Sequence, residues 1–287
     1  MTRATLTIVD PGPLTTIQDL GRPGLAHLGV GRSGACDRPA LTLANRLVGN
    51  VAGAAVLEIT LGGFEAVVAR STWVAVTGAG APLTVEGRVR NGYAPVLIPA
   101  GARLRLGTPA RGLRSYLAVR GGVDVPAVLG SRSTDVLSGL GPPIVRPGDV
   151  LTLGDDVAGP VPSVDIAPTS AIAELPSLRV VPGPRQDWFP PEALPTLLST
   201  PWTISPDSNR IGLRLVGPAL PRLDRGELPS EGLVTGAIQI PPSGQPILFL
   251  ADHPTTGGYP VLATVHDDSV AEAGQARIGQ QITFRTR

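Results

Sequence analysis

Lysine is absent from this sequence, and all 24 basic residues are arginine. A Schiff-base amine, the phosphate-gripping lysine of a P-loop and a biotin-carrying lysine are therefore all excluded on this chain. Any nucleotide or biotin would have to use a groove of another kind or arrive on another protein. Cys36 is the single cysteine, so no internal disulfide and no multi-cysteine zinc site can form. The three histidines, His27, His253 and His266, are dispersed along the chain, and no metal site is expected. The longest apolar runs, such as PILFLA at 246–251, are far shorter than the roughly 20 residues that span a bilayer. No membrane-crossing segment is expected. The opening MTRATLTIVDPGP alternates like a strand and lacks the apolar core and cleavage site of a signal peptide, which points to a cytoplasmic protein. With a formal net charge of +1 and scattered arginines, no positive patch is concentrated enough for nucleic acid. The sequence also lacks a Gly-x-Ser-x-Gly elbow, a His-Glu-x-x-His pair, a Walker motif and a dinucleotide fingerprint.

What is present reads as a globular, strand-rich chain. Its 287 residues are 42% hydrophobic and 16% charged, enough for two domains with their own cores. Short apolar runs at 4–9, 56–60, 73–78, 95–99, 103–107 and 114–121 alternate with turn signals, and 36 Gly and 31 Pro supply the turns. This spacing predicts a barrel or sandwich rather than βα units. One helix interrupts the pattern at DRPALTLANRLVGN, where Ala40, Leu43, Ala44 and Leu47 share a face, Asp37 caps the start and Gly49 ends it. Residues 155–176 lose apolar alternation and read as a linker, giving domains at 1–154 and 177–287. The second half opens with LRVVPGP at 178–184, an echo of TIVDPGP at 7–13. A helix near 188–199 follows, then strands at 233–241, 246–252 and 260–265, a helix near 267–274 and a closing strand QQITFR.

Three segments concentrate polar chemistry among glycines. The first, TTIQDLGRPGLAHLGVGRSGACD, carries Gln18, Asp19, Arg22, His27, Arg32, Ser33 and Asp37. Gln, Asp and Arg suit the reading of amides and carboxylates; equally, Asp19 could pair with Arg22 and Asp37 could serve only as a cap. The second, RGGVDVPAVLGSRSTD, places Arg132 and Asp135 in loops beside Ser131 and Ser133. The third, PSEGLVTGAIQIPPSGQPILFLADHPTTGGYP, brings Glu231, Gln239, Asp252, His253, Thr255, Thr256 and Tyr259 to strand ends. Gln239 is expected to present its amide at a barrel mouth. Asp252 ends the most hydrophobic strand, a position that suits either a desolvated general base or a turn cap.

At these segments the sequence resembles the KipA family, also called the PxpC or allophanate hydrolase subunit 2 family, whose domain is the carboxyltransferase domain, subdomain A and B. The resemblance rests on TTIQDLGRPG, GVGRSGACD with ANRLVGN, LEITLGG, YLAVRGG with LGSRSTD, NRIGLRL, and SEGLVTGAIQIPPSGQPILFLAD with TTGGYP, in order along nearly the whole chain. It implies a mainly β protein of two cyclophilin-like β-barrel domains with a few short helices. It also implies a KipI-like (PxpB) partner and a LamB/YcsF-like (PxpA) partner, together forming an ATP-dependent 5-oxoprolinase, with this chain inactive alone. On that reading Asp252, Glu231 and Gln239 form the centre and Arg22, Arg132 and Arg210 meet anionic groups, with Asp37, Asp135, His253, Thr255, Thr256 and Tyr259 around the substrate. The same resemblance admits a carboxyltransferase acting on urea or a related amide with biotin from another protein, or a non-catalytic binder of a KipI-like regulator. The sequence departs from the family pattern at GLGPPIVRPGD (139–149) and at NRIG (209–212).

Overall fold

The computed structural model describes residues 4–286. The chain divides into two compact units, one of residues 1–22, 37–135 and 139–172, the other of residues 23–36, 136–138 and 173–287. The expectation of a mainly β protein with a few short helices is borne out in both.

The first unit contains strands β1 (Thr5–Pro11), β2 (Leu14–Gln18), β3 (Val56–Thr60), β4 (Phe64–Val68), β5 (Thr72–Gly78), β6 (Leu83–Val85) and β7 (Arg88–Arg90). It continues with β8 (Val96–Ile98), β9 (Arg103–Leu106), β10 (Arg114–Val119) and β11 (Val150–Thr152), and one helix, α1 (Arg38–Leu47). Two sheets form, ordered β11-β1-β4-β9-β6-β7 and β2-β3-β10-β5-β8. Strict alternation sends Leu6 and Ile8 of β1 and Leu104 and Leu106 of β9 inward, where they meet Leu57, Ile59, Val74 and Val76 of the other sheet in one core. Strand β10 is buried along its whole length. Its second face is covered by α1, as is that of β5, whose Thr77 hydroxyl donates to Ala40 O at 2.7 Å. The β1–β2 turn depends on Gly12, whose φ of +68° and close approach to the Gly62 carbonyl leave no room for a Cβ.

Strand β2 departs from the sequence expectation. Its Thr15, Thr16 and Gln18 are polar yet buried, so the segment reads as a loop until its pairing with β3 is seen. The 155–176 stretch holds no helix or extended strand, but residues 155–172 belong to the first unit. Val157 bridges to Asn50, and Ala167 is buried with its N–H on Tyr93 O at 2.7 Å. Single apolar side chains dock there without any periodic pattern, and the chain changes unit between 172 and 173 rather than at 154.

The second unit contains β12 (Ser177–Pro182), α2 (Ala193–Ser199), β13 (Trp202–Ile204), β14 (Gly212–Val216), β15 (Glu231–Gly232) and β16 (Ala237–Gln239). It ends with β17 (Ile247–Phe249), β18 (Thr256–Gly257), β19 (Val261–Val265), α3 (Asp267–Gly274) and β20 (Gln281–Arg285). Seven of these strands close a barrel in the order β12-β19-β16-β17-β14-β13-β20, with a parallel β12–β20 pair completing the ring. Trp202 is fully buried in its core and donates Nε1–H to Leu197 O at 3.0 Å. Gly217 makes room for it, since a Cβ there would stand 2.7 Å from the indole. The strand expected over 233–241 is confined to 237–239 by Gly236, with φ +86°, on one side and Pro241 on the other. The short β15–β18 ribbon lies outside the barrel order.

Candidate functional site

In the first unit, Asp19 follows β2 and acts as an anchor for the 131–133 loop. Its carboxylate accepts from Ser131 Oγ at 2.7 Å, Ser133 Oγ at 2.5 Å, Arg132 N at 2.6 Å and Gly21 N at 2.7 Å. With both oxygens so engaged it does not take up Arg22, and the expected Asp19–Arg22 pair does not form. Arg22 is instead buried, donating from Nη2 to Ser133 O at 2.6 Å. Arg132 turns away from it, toward Asp124 and Asp156 at 3.6 and 3.4 Å, with about a third of its side chain exposed. Asp135 is buried in the same loop, where its N–H bonds Leu140 O and its carbonyl accepts from Gly139 N.

Asp37 caps α1 through Oδ1, which accepts from Ala40 N at 2.9 Å. Its own N–H donates to the Tyr116 hydroxyl at 2.7 Å, and that hydroxyl donates to Glu58 Oε2 at 2.8 Å. Glu58 also faces Arg114 at 3.5 Å, both almost wholly buried. Sequence reasoning missed this network. The available signal was a charged residue inside each of two apolar strands, Glu58 in VLEIT and Arg114 at the head of RSYLAV. Nearby, burial pushes the Tyr93 phenol above its usual value, with the Asp37 charge adding to the rise and hydrogen bonds to Thr169 and Gly78 O opposing it.

In the second unit the structure brings Asp252 and Arg210 together as an ion pair. Arg210 Nε lies 2.8 Å from Oδ2 and Nη2 lies 3.0 Å from Oδ1, with the two side chains 1% and 0% exposed. Asp252 also accepts from Ser33 Oγ at 2.7 Å and from Val136 N at 3.1 Å. Four donors therefore converge on one buried carboxylate. Arg210 thus meets the Asp252 carboxylate, and its Nη2 also donates to Gly34 O at 2.7 Å. Ser33 carries more than its place in a glycine-rich loop suggests. It is fully buried at φ +53°, a left-handed conformation unusual for serine and held here by its bond to Asp252. His253 is nearly buried, with Nδ1 2.7 Å from Pro254 O and its ring tilted against Phe249.

The remaining candidates gather at the β15–β18 ribbon and the adjoining barrel strands. Gln239 is 3% exposed rather than open at a mouth, because its Nε2 donates to Tyr259 O at 2.7 Å over the bare backbone of Gly257. Glu231 pairs across the ribbon with Gly257, and its carboxylate meets Arg185 at two points, one of them Nε to Oε2 at 3.1 Å. Thr255 O accepts from Leu233 N at 2.9 Å, Thr256 is exposed on β18, and Tyr259 is half-exposed with Arg222 over its ring at 5.9 Å. Glu231, Gln239, Thr256 and Tyr259 are thus neighbours, whereas Asp252 is committed to Arg210. Among the described residues no group of three or more His, Cys, Asp or Glu could hold a metal ion, and no helix is long and apolar enough to cross a membrane.

Comparison with known proteins agrees with this architecture. The chain is 40% identical over 283 residues to a subunit of the 5-oxoprolinase of Escherichia coli (strain K12), covering 97% of this chain and 90% of that protein. It is 33% identical over 303 residues to the urea amidolyase of Lachancea kluyveri, covering 96% of this chain but 16% of that protein. Among solved structures, TTHA0988 superposes with a TM-score of 0.90 at 38% identity, over 99% of this chain and 56% of that one. The K. lactis urea amidolyase superposes with a TM-score of 0.91 at 30% identity, over 99% of this chain and 19% of that one. A family profile described as "Carboxyltransferase domain, subdomain A and B" matches residues 28–286, and the chain belongs to that family.

Proposed function

We propose that this chain is one subunit of a cytoplasmic, ATP-dependent 5-oxoprolinase that opens 5-oxo-L-proline to L-glutamate together with KipI-like and LamB/YcsF-like partners. The observation that carries the reading is the near end-to-end likeness to a separate polypeptide of that kind, 97% of this chain against 90% of the E. coli 5-oxoprolinase subunit. The likeness to urea amidolyase at 33% identity supports a second reading, carboxyl transfer to urea or a related amide. Both readings direct the chain to a small amide.

ATP itself fits this chain poorly. The sequence has no lysine, Arg210 and Arg114 are engaged with Asp252 and Glu58, and no carboxylate cluster suited to a nucleotide's magnesium occurs among the described residues. Biotin, in the second reading, would likewise arrive on another protein. The chain's own contribution is to bind and orient the amide. Arg22, Glu231, Thr256 and Tyr259 retain side-chain surface or bonding capacity for that, while Asp252, Arg210, Asp37 and Arg132 are committed to the fold.

The test is reconstitution. The chain is purified alone and with the KipI-like and LamB/YcsF-like proteins, and glutamate release from 5-oxo-L-proline is compared with urea carboxylation in the presence of a biotin protein. Glutamate release by the assembly and not by the single chain is expected. Turnover by the single chain, or activity on urea alone, overturns the leading reading.

A further inference from the structure

The two sheets of the first unit have four edges, and three of them are covered or interrupted. Strand β2 receives Val145 N on Thr15 O at 3.0 Å and Thr134 N on Ile17 O at 2.9 Å, and β11 receives Asp124 N on Thr152 O at 2.8 Å. Pro95 and Pro99 bracket β8. Strand β7, the edge of the six-stranded sheet, has no such cover. Its three residues are all exposed, Val89 at 75%, and among the described residues no backbone bond reaches its outer side. An unpaired strand edge is a template for another strand.

This edge is held extended without a neighbour. Glu86 and Gly87 join β6 to β7 with φ of +47° and +73°, the type I′ turn that matches the twist of a hairpin. Glu86 is tied to β9, its N–H donating to Arg103 O at 3.0 Å and its Oε1 accepting from Arg103 N at 2.5 Å. A two-residue turn makes Val85 and Arg88 a hydrogen-bonded pair, so the alternation of the ladder turns the N–H and C=O of Val89 away from β6. In agreement, Val89 O is reached from the open side by Arg90 Nη1 at 3.4 Å. Arg88 and Arg90 flank Val89 on the opposite face of the strand, and neither has a carboxylate partner among the described residues. Arg103 and Arg105, by contrast, share Glu65 at 2.5 and 2.8 Å. On a chain whose net charge is +1, these arginines outnumber Glu65 and Glu86 and make the corner locally positive.

We propose that β7 is a docking edge for an extended acidic segment of a partner polypeptide, one in which two acidic residues flank a β-branched residue. The segment lies antiparallel to β7, and its central residue exchanges both backbone bonds with Val89. The ladder then places the flanking acids directly opposite Arg88 and Arg90, in non-hydrogen-bonded pairs where side chains come closest. The central side chain stands beside Val89 and extends the cross-strand row Glu65, Arg105, Thr84, Val89. Charge selects the partner. A second copy of this edge would set arginine against arginine, whereas an acidic strand meets each guanidinium with a carboxylate. This inference stands apart from the amide chemistry and holds under either reading of the function.

Binding of a short end-blocked peptide to the full chain tests it. The probe carries glutamate, valine and glutamate at its centre between threonines. One control has the same composition with the two glutamates adjacent, and another has lysine in place of glutamate. By fluorescence anisotropy the first peptide is expected to bind, less tightly as salt rises, and neither control is expected to bind. Val89→Pro removes an N–H that has no partner in the fold, at an edge position that accepts proline. It should weaken the glutamate peptide about tenfold and leave the melting temperature nearly unchanged. Arg88→Glu/Arg90→Glu should exchange the preference, losing the glutamate peptide by about tenfold or more and gaining the lysine one. Should Val89→Pro melt early, the wild-type comparison of the alternating and adjacent glutamate peptides still decides. Equal binding of those two peptides, or undiminished binding to a folded Val89→Pro, marks a general positive surface without strand addition and overturns the proposal. Failure of the glutamate peptide to bind leaves Arg88 and Arg90 as guards against self-pairing and overturns it as well.

Discussion

Replacing Asp252 by Asn should strongly destabilise the second unit. The carboxylate accepts from Arg210 Nε and Nη2, Ser33 Oγ and Val136 N, and neither member of the ion pair exposes more than 1% of its side chain. Asparagine keeps the volume but removes the charge and turns one acceptor into a donor that faces other donors. Arg210 is then a buried cation without a counter-ion, a change that costs on the order of 3–5 kcal/mol. Against a typical domain stability of about 5–15 kcal/mol, that is a large fraction. At about 2–4 °C per kcal/mol for a domain of this size class, the melting temperature should fall by roughly 10 °C or more. The assay is thermal and urea denaturation of Asp252→Asn, Arg210→Met and the double variant Asp252→Leu/Arg210→Met. The double variant should recover much of the loss, because removing both charges removes the burial cost along with the attraction. A melting temperature within about 2 °C of wild type in Asp252→Asn, together with a hundredfold or greater loss of turnover, would refute this reasoning and return Asp252 to proton transfer.

Partial burial pushes the Glu272 carboxyl above its usual value, with Arg285 pulling it partly back. A carboxyl raised on folding contributes stability while protonated and loses that contribution as pH rises through the folded value. Glu272→Gln should therefore raise the melting temperature at neutral pH, and the gain should vanish near about pH 4; a gain independent of pH contradicts the cause. Limited proteolysis should cut first within 161–175, where no strand or helix protects the backbone, and a first cut inside 237–249 would contradict the barrel as described. Glu231→Gln breaks a partly exposed two-point pair with Arg185, so global stability should fall by about 1 kcal/mol or less. Tryptic cleavage after Arg222 and Arg225 should nevertheless quicken, and an unchanged cleavage rate would show that the pair does not restrain this segment.

The parts of the fold legible in sequence are those whose signals are local. Helix α1 is declared by Ala40, Leu43, Ala44 and Leu47 on one face and by Asp37, whose Oδ1 does accept from Ala40 N. Strands β3, β9 and β10 follow their apolar runs. Strand β2 is hidden because its buried side chains are largely polar and its pairing is with β3, remote in the chain, while the Gln18 amide donates to the distant carbonyl of Thr134. The role of Asp252 is hidden for the same reason. Its position at the end of an apolar strand suits a base or a cap equally, and the sequence gives no sign that Arg210, 42 residues upstream, and Ser33, 219 residues upstream, meet its carboxylate. Local pattern reports which side chains are out of water, and pairing across long sequence separations reports what they then do.

That long separation bears on how the protein could be taken apart or recombined. Because the second unit owns residues 23–36 and 136–138 as well as 173–287, a gene fragment beginning at 173 encodes a barrel whose Arg210–Asp252 pair lacks both Ser33 and Val136. Such a fragment is an incomplete object rather than a portable module. A protease nick between 161 and 175 severs the backbone yet leaves the Ser33–Asp252 bond to hold the two pieces together. Exchange of parts between relatives would then succeed only when the early glycine-serine segment travels with the late strands it completes.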